Sequence, residues 1–130
     1  MIVADASVIA AALVDEGSPG ALARERLLSH DVNVPELADV EVMAVIRRHV
    51  QRGLLSPLRA AAAMQDYADF RLERFAHLPL LPRAWQLRDT VTAYDAQYVA
   101  LAEFLDVPLV TADGRLSRAS GLRCQVELLR

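Results

Sequence analysis

Four acidic residues of this chain occupy positions where a carboxylate is hard to explain as mere surface charge. Asp5 follows directly on the apolar run Ile2-Val3-Ala4. Glu41 is set in Val40, Val42, Met43, Ala44, Val45 and Ile46. Asp95 opens a largely apolar stretch that continues to Leu105, and Asp113 follows Leu109-Val110-Thr111. A carboxylate at the end of a buried segment is costly without a partner. Each acid also has an ordinary structural role open to it. Asp5 and Asp113 are placed to cap helices, Glu41 is compatible with an exposed helix position, and Thr92-x-x-Asp95 matches a capping box. If the four converge, they repel: two carboxylates about 4 Å apart cost about 4 kcal/mol at an effective dielectric near 20. A cation relieves that repulsion. All-oxygen ligands without His or Cys select Mg²⁺ or Mn²⁺ over zinc. Such an ion polarises a phosphodiester and lowers the pKa of a bound water, which needs no nucleophilic side chain.

The elements that position these acids are legible in outline. Residues 2–4, 32–34, 77–80, 108–111 and 125–128 read as short strands. Helices are expected over 7–14, 18–28, 36–52, 57–74, 82–88, 92–105 and 113–119. Their starts are marked by Ser7, Ser18-Pro19, Ser56-Pro57 and Thr92, and Gly53 provides a stop. Short apolar strands separated by helices imply an α/β fold with a parallel sheet covered on both faces. Ligands of such sheets bind at the carboxyl ends of the strands, near a topological switch point, which puts Asp5 and Asp113 on one rim.

At 130 residues the chain suits one domain, 1–130. Hydrophobic residues make up 54% and aromatics only 5%, so the core is expected to be mostly Ala, Leu and Val. Cys124 is the only cysteine, which excludes an intrachain disulfide and leaves a reducing, cytoplasmic setting as the expectation. The apolar first fourteen residues lack the basic start of a signal peptide, and no apolar run approaches the length of a membrane span. The net charge of −3 argues against holding nucleic acid by bulk electrostatics but permits a local basic rim. All fourteen basic residues are Arg, whose guanidinium forks suit phosphate; a GC-rich genome also produces this bias.

Asp5-Ala6-Ser7, Pro35-x₅-Glu41-Val42, Thr92-Ala93-Tyr94-Asp95-Ala96-x-Tyr98-Val99-Ala100-Leu101-Ala102 and Leu109-Val110-Thr111-Ala112-Asp113 resemble, in order and spacing, the four motifs of PIN domains. The nearest likeness is to VapC toxins of bacterial toxin–antitoxin pairs, and it covers almost the whole chain. The resemblance implies a three-layer α/β/α sandwich with a mainly parallel sheet of about five strands. It also implies a Mg²⁺- or Mn²⁺-dependent endoribonuclease, a homodimer, an RNA substrate and inhibition by a VapB-type antitoxin. Carried over, Asp5, Glu41 and Asp95 ligate or organise the metal, Asp113 is the fourth acid, and Ser7 orients Asp5 or a metal-bound water. Thr111 is a weaker candidate for a similar role. Gly114-Arg115 follows Asp113, so no further acid is there for a second ion.

On a helix over 36–52, Glu41, Arg48 and Arg52 share a stripe, so both arginines are candidate RNA contacts or simply a solvated face. Arg88 and Arg115, beside the acidic motifs, are candidates too. Trp85 is a possible base-stacking residue but, as a lone Trp in a helix, more often packs. His49 reads as a surface residue rather than a base, and Tyr94 and Tyr98 as core or dimer contacts. A haloacid-dehalogenase-like phosphatase requires an acid where Ser7 stands, and both it and a receiver domain use a Lys that the chain lacks. The remaining alternatives are a PIN nuclease of RNA processing and a non-catalytic PIN-like binding module.

Overall fold

The computed structural model describes residues 1–130. The elements in chain order are β1 (Ile2–Ala4), α1 (Ala6–Val14), α2 (Ser18–Leu28), β2 (Val32–Pro35), α3 (Ala38–Gln51) and α4 (Pro57–Asp69). Then come β3 (Glu73–Phe75), a 3₁₀ turn (Leu78–Leu80), α5 (Leu81–Gln86), α6 (Ala93–Leu105), β4 (Leu109–Thr111), α7 (Gly114–Ser117) and β5 (Val126–Leu128). All strands pair in parallel in the order β3-β2-β1-β4-β5. The chain runs outward from β1 to β3, then returns to the other side of β1 with β4. The switch point therefore lies between β1 and β4, where Val3 pairs Leu109 and Ala4 pairs Val110.

Burial explains the strand sequences. Ile2, Val3, Ala4, Val34, Leu109 and Val110 are all buried, as expected for strands covered by helices on both faces. α1 packs on α2, α3 and α4, while α6 packs on β1, β2 and β4 and carries α5. The seam between α1 and α2 is close: a Cβ on Gly20 would fall 1.8 Å from the Asp15 carbonyl oxygen. Only glycine lets α2 approach there, which holds α1, the helix that starts at the site.

The expected third strand is misplaced. Residues 77–80 do not pair; they form the 3₁₀ turn, where Pro79 has no N–H to give a sheet. The strand is Glu73–Phe75, which extends β2 at the sheet edge, and α4 correspondingly ends at Asp69 rather than at 74. As an exposed edge strand, Glu73-Arg74-Phe75 carries little of the apolar signal that marks a buried one. β2 likewise extends to Pro35, which delays α3 to Ala38, and α7 spans only four residues.

Candidate active site

Asp5 leaves β1 at the centre of the sheet and caps α1, accepting a hydrogen bond from the Val8 N–H at 3.2 Å. Its two oxygens are held separately. The Ser7 hydroxyl donates to Oδ1 at 2.5 Å, and the Thr111 hydroxyl donates to Oδ2 at 2.5 Å. Both hydroxyls then accept: Ser7 Oγ from the Ala112 N–H at 3.0 Å, Thr111 Oγ1 from the Asp113 N–H at 2.9 Å. One network thus ties the start of α1 to the loop after β4 and aims that loop's acid. Asp5 is only 5% exposed, and burial raises its pKa despite the three donors that favour its charge; the Asp95 charge pushes the same way.

The other acids come from helix starts. Glu41 lies in the first turn of α3, and Asp95 in the first turn of α6, where the helix dipole favours negative charge. The Thr92 hydroxyl accepts from the Asp95 N–H at 3.1 Å, so the capping reading of Thr92 holds, and Asp95 lines a cleft. Burial raises the pKa of Glu41, and the Asp95 and Asp5 charges add to it; Tyr98 and Arg48 oppose it. Burial also raises Asp95, reinforced by Asp113 and opposed by Thr92 and Arg115. Asp113 caps α7 through the Arg115 N–H at 2.8 Å and meets the Arg115 guanidinium at 3.5 Å. That ion pair is exposed on the Arg side and is worth little.

The fold therefore brings the four predicted acids into one neighbourhood, each within electrostatic reach of the next. No three of them stand close enough to hold one ion as they are. Their mutual repulsion and the grip of Ser7 and Thr111 on Asp5 oppose closer approach. The donor set nevertheless fits a hard divalent cation. Every ligand atom is a carboxylate oxygen, the charges of Asp5, Glu41 and Asp95 are under-compensated, and Glu41 Oε1 is buried without a hydrogen-bond partner.

Asp95, Asp113, Thr92, Arg88 and Arg115 line a common cleft of about 380 Å³. Arg88 and Arg115 thus sit at the acids as expected. Arg48 is exposed, but near enough for its charge to favour ionised Glu41; Arg52 ends α3 in solvent, and neither lines the cleft. His49 is occupied with the Val45 carbonyl at 2.9 Å. Two residues matter more than the sequence indicates. Thr111 holds Asp5 as closely as Ser7 does. Tyr98, 1% exposed, places its hydroxyl beside Glu41 yet outside close hydrogen-bond geometry, so both oxygens lack a partner. The signal for Tyr98 was its i+3 spacing from Asp95, which sets both on one face of α6. Tyr94, by contrast, is 62% exposed and fills no core.

The PIN domain family model matches residues 2–122. Ribonuclease VapC1 of Mycobacterium tuberculosis is 42% identical over 129 residues, covering 98% of this chain and 97% of the relative. Ribonuclease VapC12 of the same species is 40% identical, covering 99% of each. In fold, the chain is similar to VapC20 of Mycobacterium tuberculosis, a sarcin-ricin loop cleaving toxin, with TM-score 0.72, 18% identity and full coverage of both chains. It is also similar to VapBC2 from Rickettsia felis bound to a promoter DNA fragment, with TM-score 0.71, 13% identity and full coverage of both. With its four acids in motif order around the switch point of a parallel sheet, the chain belongs to the PIN-domain family.

Proposed function

We propose that residues 1–130 form one PIN domain that acts as a Mg²⁺- or Mn²⁺-dependent endoribonuclease, the toxin of a VapBC-type toxin–antitoxin pair. The observation that carries the reading is the carboxylate cluster: under-compensated acids near the switch point, an unpartnered buried Glu41 oxygen, and Arg88 and Arg115 lining one cleft with Asp95 and Asp113. Support also comes from relatives 38–42% identical over nearly the whole chain that are named as VapC ribonucleases.

Asp5, Glu41 and Asp95 would hold the ion, with Asp113 as the fourth acid. When bound, the ion supplies Lewis acidity toward a phosphodiester and a water of lowered pKa. Ser7 and Thr111 fix the direction of the Asp5 oxygens. Arg88 and Arg115 bind phosphates along the cleft, a local attraction compatible with a net charge of −3. A non-catalytic PIN-like module is disfavoured because all four acids are present and an uncompensated cluster has no structural benefit. The partners expected with this reading are a second copy of the chain and an antitoxin whose Arg or Lys enters the acidic cleft. No helix is long and apolar enough to cross a membrane, and a cytoplasmic site of action accords with the RNA substrate.

The test is cleavage of a mixed cellular RNA pool by the antitoxin-free protein with Mg²⁺, Mn²⁺ or EDTA, beside Asp5→Asn. Cuts at a few sites that need metal and vanish in the variant are expected. A folded, ion-binding protein that cleaves nothing would refute the proposal.

A further inference from the structure

Next to the acidic cleft lies a second cavity, of about 440 Å³, lined by Leu81, Ala84, Trp85, Arg88, Ala93 and Gln97. Arg88 lines both, so the two are neighbours that meet at its side chain. The cavity has three features of a ligand site rather than of a packing gap. Trp85 is 67% exposed although it is the only tryptophan in a chain poor in aromatics. The Arg88 guanidinium lies over its ring at 4.7 Å from the centroid, and Arg88 Nη1 donates to the Trp85 carbonyl at 3.0 Å, so the pair is a preset unit. Gln97 lines the same cavity, is only 7% exposed, and its Oε1 is buried with no hydrogen-bond partner. A buried amide oxygen left unpaired is rare and calls for an explanation.

We propose that this cavity is a nucleobase subsite of the RNA-binding cleft. Building on the nuclease reading above, it adds where the enzyme reads sequence. A base beside the phosphate held by Arg88 stacks on Trp85, against the apolar walls of Leu81, Ala84 and Ala93. The Gln97 amide meets its edge. Rotation about the terminal torsion of Gln97, which is broad and two-fold, turns the buried oxygen toward the cavity beside the N–H₂. A carboxamide matches adenine best, because it makes two hydrogen bonds to that base at once. Single-stranded RNA is read in this way, by stacking on aromatics and by hydrogen bonds to exposed base edges. The structure therefore assigns stacking to Trp85, base choice to Gln97 and phosphate contact to Arg88.

Because Trp85 is the only tryptophan, its fluorescence reports the subsite directly. The experiment titrates the full chain, in EDTA to prevent cleavage, with 5′-labelled hexa-adenylate, hexacytidylate and hexauridylate. Anisotropy reads binding, and Trp85 emission reads stacking. Hexa-adenylate is expected to bind tightest and to quench. Trp85→Ala should weaken binding about tenfold, and Trp85→Phe should restore most of it. Gln97→Met should keep the quench but remove the preference for adenylate. Binding without a quench, at the same affinity in Trp85→Ala, would overturn the subsite and leave the nuclease reading standing. Emission that depends on protein concentration and ignores RNA would overturn it too, by assigning the Trp85 face to a second copy of the chain. Absence of RNA binding together with absence of metal-dependent cleavage would remove both readings.

Discussion

Replacing Asp5 separates the two demands on its carboxylate, capping α1 and carrying charge in the acidic cluster. Asp5→Ala removes the acceptor for three donors: the Ser7 and Thr111 hydroxyls and the Val8 N–H. The lost cap costs about 1 kcal/mol. The buried Thr111 hydroxyl, stripped of its acceptor, costs about 1–3 kcal/mol more, while the half-exposed Ser7 hydroxyl turns to water. A total of about 2–4 kcal/mol follows. Asp5→Asn behaves differently. The amide oxygen still accepts from Val8 and Ser7, and the amide N–H₂ donates to Thr111 Oγ1, whose second lone pair is free, so the one loss is the acceptor of the Thr111 proton, offset in part by this new bond. The charge that burial disfavours is gone. The asparagine variant is therefore expected to unfold within about 1 kcal/mol of the parent in EDTA, on the stable side at neutral pH, while losing RNA cleavage at least a hundredfold. For a domain of this size 1 kcal/mol is roughly 3–5 °C in Tm. Thermal unfolding in EDTA and cleavage with Mn²⁺, run on both variants, decide the matter. If Asp5→Asn falls as far as Asp5→Ala, or still cleaves, Asp5 is a cap first and the reasoning fails.

Other outcomes follow from the same geometry. Asp5, Glu41 and Asp95 have pKa values raised above their unfolded values, so their contribution to stability is full below about pH 4 and is lost as pH rises through the folded values. In EDTA the Tm of the parent should thus fall, as pH rises above the ordinary carboxylate range, more steeply than that of Glu41→Gln, and equal slopes would contradict this. Mg²⁺ or Mn²⁺ at a hundred times its Kd should restore about 2.7 kcal/mol at neutral pH and less as pH falls and protons compete for the ligands; a Tm that ignores the ion would refute the metal site. Tyr98→Phe removes a hydroxyl that has no partner, so stability should change by less than about 1 kcal/mol, yet calorimetry should show roughly tenfold weaker Mn²⁺ binding because Glu41 loses a neighbouring hydroxyl that favours its charged form. Unchanged ion affinity would reduce Tyr98 to packing. Arg115→Ala should raise KM several-fold at constant kcat and lower the salt dependence of RNA binding by about one unit of slope; a fall in kcat alone would place Arg115 in the chemistry instead.

Where the sequence failed, it failed for identifiable reasons. β3 was missed because Glu73 and Arg74 are exposed on an edge strand, so no alternation of apolar residues announces it. Residues 77–80 mimic a buried strand because Leu78 and Leu80 alternate; in the fold Leu78 is 75% exposed and only Leu80 is buried. The stripe of Glu41, Arg48 and Arg52 is real as helical spacing, but only Arg48 feels Glu41, because Arg52 already ends the helix.

What the sequence by itself determined is local. A carboxylate directly after an apolar strand, a helix opened by Thr92, and an acid set in an apolar run are properties of neighbouring residues, and they suffice for the parallel α/β architecture and for singling out four acids as candidates. What only the tertiary structure decided is how those acids are held. The Thr111 hydroxyl reaches Asp5 across 106 residues because β1 and β4 are paired neighbours. Tyr98 lies beside Glu41 although the two come from separate helices, and Trp85, Arg88 and Gln97 share one cavity because α5 packs on α6. Spacing along a chain sets which face a side chain takes, but the partner it meets there depends on contacts between elements distant in sequence.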